Sequence, residues 1–148
     1  MKKLDFSNFD TSKVTNMSYI FQNCMSLTSL DVTNFKTEEV INMSGMFSNC
    51  QNVIELDLKN FQTNKVTDMS YMFEECKGAK TINVESFDTS NVEDMYFMFS
   101  GCFLIKSLDL QKFNTSKVTD MCHMFEGCSQ LTSLNLSKFN TNKVNDMS

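Results

Sequence analysis

The only point in this chain where a nucleophile adjoins a base is Cys122-His123, within the stretch Val118-Thr119-Asp120-Met121-Cys122-His123-Met124-Phe125-Glu126-Gly127-Cys128. A thiol, an imidazole and an orienting carboxylate together are the constellation of a cysteine hydrolase. Neighbouring residues rarely turn their side chains toward one another, however, and no third group stands out, so the pair alone does not make a dyad. A second chemistry is offered by carboxylates and amides that recur in register: Asn16, Asn42, Asp68, Asp94, Asp120 and Asp146 at one position, and Asp5, Asp31, Asp57, Asn83, Asp109 and Asn135 at another. Stacked about 5 Å apart, carboxylates repel, and a calcium ion would relieve that through its preference for oxygen ligands. The simpler reading has the first series capping a turn and the second facing water. It is favoured because neither an Asp-x-Asp-x-Asp loop nor a glycine-rich calcium repeat is present.

The cysteines and threonines recur in the same way. Cys24, Cys50, Cys76, Cys102 and Cys128 share one position in an apolar pattern and lack the Cys-x-x-Cys pairs or histidines of a zinc site, so they are expected as reduced core filler. Cys122 is the odd one, standing where other copies have Ser18, Ser44, Ser70 and Tyr96, a place open to exposure and oxidation. Thr37, Thr63, Thr89, Thr115 and Thr141 suggest an ordered hydroxyl surface of the ice-binding kind. The adjoining series Thr15, Ile41, Thr67, Glu93, Thr119 and Asn145 keeps no single chemistry, which favours hydroxyls bonded to nearby backbone instead.

All of these groups are positioned by one device, a 26-residue unit that returns without insertion or deletion. Val14, Val40, Val66, Val92, Val118 and Val144 mark it, with Met17, Met43, Met69, Met95, Met121 and Met147 three residues behind. Phe21, Phe47, Phe73, Phe99 and Phe125 form a further series, and Phe35, Phe61, Phe87, Phe113 and Phe139 another. A single unit cannot bury both faces of this apolar set, so stacked neighbours must supply the core. Leu30-Asp31-Val32, Leu56-Asp57-Leu58 and Leu108-Asp109-Leu110 alternate with period two, the pattern of a strand with one face buried. Between Met17 and Leu27 the apolar residues advance by three and four, which predicts two or three short helical or 3₁₀ turns. The β-branched Val14-Thr15-Asn16 and its copies predict a second narrow ladder.

The run from Cys102 to Cys128, of the form Cys-x-x-Leu-x-x-Leu-Asp-Leu-x-x-Phe-x-Thr-x-x-Val-x-x-Met-x-x-Met-Phe-x-x-Cys, resembles the unit of the BspA-like leucine-rich repeat surface proteins, in the subgroup with a Met-Phe-x-x-Cys box. The resemblance covers essentially residues 1–148. It implies an α/β repeat solenoid, a leucine-rich-repeat-like right-handed coil with parallel β ladders and short helical or 3₁₀ turns. It also implies a cell-surface or secreted setting and a role in adhesion. The whole chain is then one solenoid domain of about five and a half units. Met1 corresponds to Leu27 and Ser148 to Cys122, so the chain starts and stops within a unit, as a segment of a longer protein would, with flanking repeats or a second chain at its ends.

Composition narrows the partners. A net charge of −5, with every basic residue a lysine, argues against nucleic acid, which calls for clustered cations and arginine forks. No apolar run approaches the length of a membrane span, so insertion by this segment is not expected. No cofactor is implied, and no unit is special enough to suggest an enzyme.

What remains is a binding face for a protein or glycan. The position that varies most usefully holds Tyr19, Gly45, Tyr71, Phe97 and His123, with Tyr96 adjoining, and exposed aromatics on a rigid scaffold are frequent anchors. Asp31, Asp57 and Asp109 add an acidic strand face for a basic partner. The expectation is a non-enzymatic binding and adhesion module. Its alternatives are a purely structural spacer and a calcium-stabilised array.

Overall fold

The structure is a computed structural model and describes residues 4–148; Met1, aligned by the period with Leu27, lies outside the described residues. Its regular elements are short. β1 (Glu55–Asp57) pairs in parallel with β2 (Thr81–Asn83), placing Leu56 opposite Ile82, and β3 (Ser107–Leu108) pairs in parallel with β4 (Ser133–Leu134), placing Leu108 opposite Leu134. Each partner lies 26 residues on, so the alternation read in the sequence puts the leucine or isoleucine of every strand inward. Leu30-Asp31-Val32, expected as a strand, carries none. The second narrow ladder is present as single parallel bridges, Asn16 to Asn42, Asn42 to Asp68, Asp68 to Asp94, Asp94 to Asp120 and Asp120 to Asp146.

The helical expectation is overturned: among the described residues there is no helix. Where two or three helical turns were predicted, the chain makes a series of open turns, and the reason is in the backbone. Tyr19 and Asn23 have φ of 58° and 61°, in the left-handed region, and a residue of that hand every fourth position cannot continue a right-handed helix. The same two seats recur as Gly45 and Asn49, Tyr71 and Glu75, Phe97 and Gly101, and His123 and Gly127. Backbone groups thereby freed from a helix turn toward the neighbouring unit. The N–H groups of Met17, Tyr19, Phe21 and Asn23 donate to the carbonyls of Asn42, Ser44, Met46 and Ser48 at 2.9, 2.9, 3.0 and 3.0 Å. The turn is therefore a third ladder, closed within each unit by bonds such as Gln22 N–H to the Tyr19 carbonyl at 3.0 Å.

Inside the stack, side chains of one series lie on their own copies. Phe21, Phe47, Phe73, Phe99 and Phe125 form a continuous column with ring centroids 5.7, 5.7, 5.3 and 5.9 Å apart and nearly parallel planes. Burying such a side chain is worth roughly 1.5–3 kcal/mol, so the column is a large share of what holds the units together. Beside it the thiols of Cys50, Cys76 and Cys102 are buried and that of Cys128 half-buried, and each donates to a phenylalanine carbonyl of the preceding unit, Cys50 to Phe21, Cys76 to Phe47, Cys102 to Phe73 and Cys128 to Phe99, all at 3.2 Å. All six cysteines are free, as expected of core filler. Burial is the main cause that pushes the Cys50 thiol up to about 12 and the Cys128 thiol to about 11.

The threonines close the remaining corner. Thr11, Thr37, Thr63, Thr89 and Thr115 are buried, and each hydroxyl donates to a carbonyl and accepts an N–H from one and the same residue of the next unit. Buried hydroxyls present no surface to ice. Asp and Asn side chains shape the turns: Asp31, Asp57, Asn83, Asp109 and Asn135 each accept the backbone N–H two residues on.

Candidate functional site

The left-handed seat that breaks the helix also builds the main surface feature. Residues in this conformation project from the turn ladder, and the seat is filled by Tyr19, Gly45, Tyr71, Phe97 and His123. Tyr71 lies stacked with Phe97 at 5.6 Å between centroids, and Phe97 meets His123 at 4.6 Å. Tyr96, one residue before Phe97, sits edge-on to Tyr71 at 5.1 Å and against Phe97 at 4.4 Å. These four half-buried rings are one cluster. Tyr19 is more open, at 46% exposure, and its ring lies over Gly45, where an added Cβ would collide with it. The aromatic residues among those expected at a partner surface are thus one strip, with Gly45 as the gap into which Tyr19 leans.

The borders of the strip are anionic. On one side runs the bridge ladder Asp68, Asp94 and Asp120, whose carboxylates accept the backbone N–H groups of Ser70, Tyr96 and Cys122 at 2.9, 2.8 and 2.9 Å. Burial, with Asp68 and Asp120 as like-charged neighbours, holds the Asp94 carboxyl above the usual carboxylate range despite that bond. On the other side lie Glu74 and Glu126, which accept from the Ser48 hydroxyl at 2.9 Å and face the His123 ring at 3.2 Å. Burial, then the hydrogen bond the Tyr71 hydroxyl donates to Tyr96, then the charges of Tyr96, Glu74 and Tyr19 push the Tyr71 hydroxyl up to about 12. The sequence reading passed over the glutamates, though a count of charge by position would have found them.

Asp31, Asp57 and Asp109 belong to a different ladder, Asp57 ending β1, Asp109 following β3, and Asp31 at the same position of a unit that carries no strand. Asp57 is paired with Lys59 at 3.0 Å and accepts from Asn83 at 3.2 Å, and Asp109 accepts the Gln111 N–H. They are turn-forming residues first, and the structure does not join them to the aromatic strip.

Cys122 and His123 turn to different partners. The Cys122 sulfur is 3.0 Å from the Ser148 hydroxyl and the residue is only 6% exposed, which corrects the expectation of an open, oxidisable thiol: its seat is the one where Ser44 and Ser70 are also buried under the turn. His123 points to Glu126 and Phe97 instead. Among the described residues no three His, Cys, Asp or Glu side chains are gathered as a metal would require. Among the described residues no helix is long and apolar enough to cross a membrane.

With this geometry in view, the comparison with known families is decisive for kinship. The family described as "Mycoplasma protein of unknown function, DUF285" matches residues 1–100 and again residues 75–148. The chain belongs to this family. The overlap of the two matched spans is what a 26-residue period allows, since the same pattern can be entered at more than one unit. No curated protein and no solved structure matches the chain.

Proposed function

We propose that this DUF285 chain is a non-enzymatic binding module, built as a right-handed, leucine-rich-repeat-like solenoid of the BspA-like kind and displayed at the cell surface or secreted. Its ligand is a protein or a glycan. The observation that carries this reading is the continuous strip of Tyr71, Tyr96, Phe97 and His123 on a ladder of backbone hydrogen bonds. Rings held by a hydrogen-bonded scaffold lose little entropy on binding, which is why such residues serve as anchors. Parallel pairing at a constant 26-residue offset supports the solenoid, and the separate engagements of Cys122 and His123 support the absence of catalysis.

The test compares the protein with its Tyr71→Gly/Phe97→Gly variant for binding to arrayed proteins and glycans and to intact host cells. Loss of binding in the variant, at a temperature where its circular dichroism still matches the parent's, is expected. Equal binding by both would refute the strip as the site, and no binding by either would leave a structural spacer. Protease treatment of intact cells checks display: the chain should be cleaved without lysis.

A further inference from the structure

The aromatic strip lies in a band of the molecule without a basic side chain of the lysine type. Residues 16–23, 42–49, 68–75, 94–101 and 120–127, which form the turn ladder and its bridge, contain no lysine and hold the carboxylates Asp68, Glu74, Glu75, Asp94, Asp120 and Glu126. The chain has 13 basic residues, all lysines, and they fall elsewhere in the unit. Among the described residues Lys77 reaches in from outside, bridging Glu75 at 2.6 Å and standing over the Phe103 ring at 5.6 Å. Aromatic faces flanked by carboxylates are what a cationic side chain seeks, since a ring quadrupole and a carboxylate attract the same charge. Lys77 between Glu75 and Phe103 is the arrangement in miniature, made by the protein's own cation at the margin of the band.

The backbone adds an independent indication. Tyr71, Phe97 and His123 occupy left-handed φ of 57°, 54° and 55°. A bulky side chain there is costly, by about 1–2 kcal/mol relative to a right-handed residue, and glycine removes the cost. Gly45 fills the same seat with φ of 56°, so the unit accepts glycine. Strain retained beside a row of carboxylates is a mark of a surface shaped for something outside the chain.

We propose that this band binds an extended, lysine- and arginine-bearing segment of a partner protein. Its cationic groups lie against Tyr71, Tyr96 and Phe97 and pair with Glu74, Asp94 and Glu126. Successive units repeat the offer along the stack, so an extended segment engages several at once. The inference rests on the binding-module reading and narrows its ligand to a cationic protein.

The experiment titrates the intact protein with an extended arginine–serine peptide, its lysine–serine analogue and a glutamate–serine control, followed by calorimetry at low and physiological salt. Saturable binding of both cationic peptides is expected, weakened about tenfold or more by Phe97→Gly and by Glu74→Gln/Glu126→Gln, and unchanged by Asp109→Asn on the strand ladder. Phe97→Gly gives up the contacts with Tyr71, Tyr96 and His123 while shedding the left-handed strain, so a circular-dichroism melt is read beside the titration, and a variant folded at the titration temperature keeps its loss of binding from being ascribed to unfolding. Equal weakening by Asp109→Asn would overturn the inference in favour of diffuse charge attraction, and so would insensitivity to Phe97→Gly. If a glycan or an acidic or neutral protein binds through Phe97 while the cationic peptides do not, the cationic partner is refuted and the binding module stands. If nothing of any class depends on Phe97, both fall.

Discussion

Replacing Thr63 by valine should destabilise the protein far more than its shape suggests. Thr63 is 1% exposed, and its hydroxyl donates to the Asp88 carbonyl at 2.9 Å while accepting the Asp88 N–H at 2.8 Å. Valine is nearly isosteric, so no cavity opens, but it strands one backbone donor and one acceptor between two units. A buried polar group left unpaired costs about 1–3 kcal/mol. The two together, less partial hydration at a corner of the stack, should cost about 2–4 kcal/mol. For a domain of this length that is a fall in Tm on the order of 5–15 °C. Thr63→Ser keeps both bonds and loses a methyl, at about 1 kcal/mol. Thr141→Val, at the same ladder position but exposed, should stay within about 0.5 kcal/mol of the parent. Thermal and denaturant melts followed by circular dichroism read all three. If Thr63→Val melts with the parent, or Thr63→Ser falls as far as valine does, the hydroxyl bridge is not what holds the corner.

Three further outcomes follow from the same packing. Gly78→Ala and Gly45→Ala should both melt below the parent, the first because the new Cβ meets the Gln51 backbone carbonyl at 2.6 Å and the second because alanine takes on the left-handed φ of 56° and pushes the Tyr19 ring aside; comparative melts decide it, and a variant that melts with the parent would contradict it. The Cys50 thiol, raised from its ordinary 9.0 to about 12, favours the folded state fully below pH 9 and loses that contribution as pH rises toward 12, so stability should fall over that window and a Cys50→Ala variant should fall less. Asp94→Asn keeps an oxygen for the Tyr96 N–H and removes a charge between Asp68 and Asp120; because the Asp94 carboxyl is raised in the folded state, the variant should be more stable at neutral pH and the gain should vanish in acid, where the parent carboxyl is protonated.

The period was legible because every unit repeats it, and with it the columns of Phe47, Met43 and Cys50 and the inward face of β1. The turn was not. Met17, Phe21, Cys24 and Leu27 advance by three and four, which is what a helix shows, yet a turn that sets residues inward at the same intervals shows it too. Hydrophobic spacing registers which way side chains face and is blind to the sign of φ at Tyr19 and Asn23 between them. Asparagine and glycine at Asn23, Gly45, Asn49, Gly101 and Gly127 were the available clue, since these residues tolerate the left-handed region. Tyrosine and phenylalanine in the companion seat hid it. The candidate surface was legible as a list of aromatics that break the pattern, but its union with Glu74 and Glu126, and its separation from Asp57 and Asp109, depend on how the turn folds.

That companion seat bears directly on why the aromatics are there. Glycine at Gly45, Gly101 and Gly127 shows that the chain uses glycine readily at left-handed positions. Choosing Tyr71, Phe97 and His123 instead incurs strain of about 1–2 kcal/mol each. The ring contacts of Tyr71 with Phe97 and Tyr96, and of Phe97 with Tyr96 and His123, return about 0.5–1.5 kcal/mol apiece, which is of the same order as the strain at the three seats. Folding is therefore close to indifferent between rings and glycine at this seat. A feature to which stability is indifferent, set in a band whose lysines are all placed elsewhere, is where a repeat protein is free to respond to a partner. Variation among DUF285 chains should then concentrate at this seat and its bordering carboxylates, with the phenylalanine, cysteine and threonine columns held by packing alone.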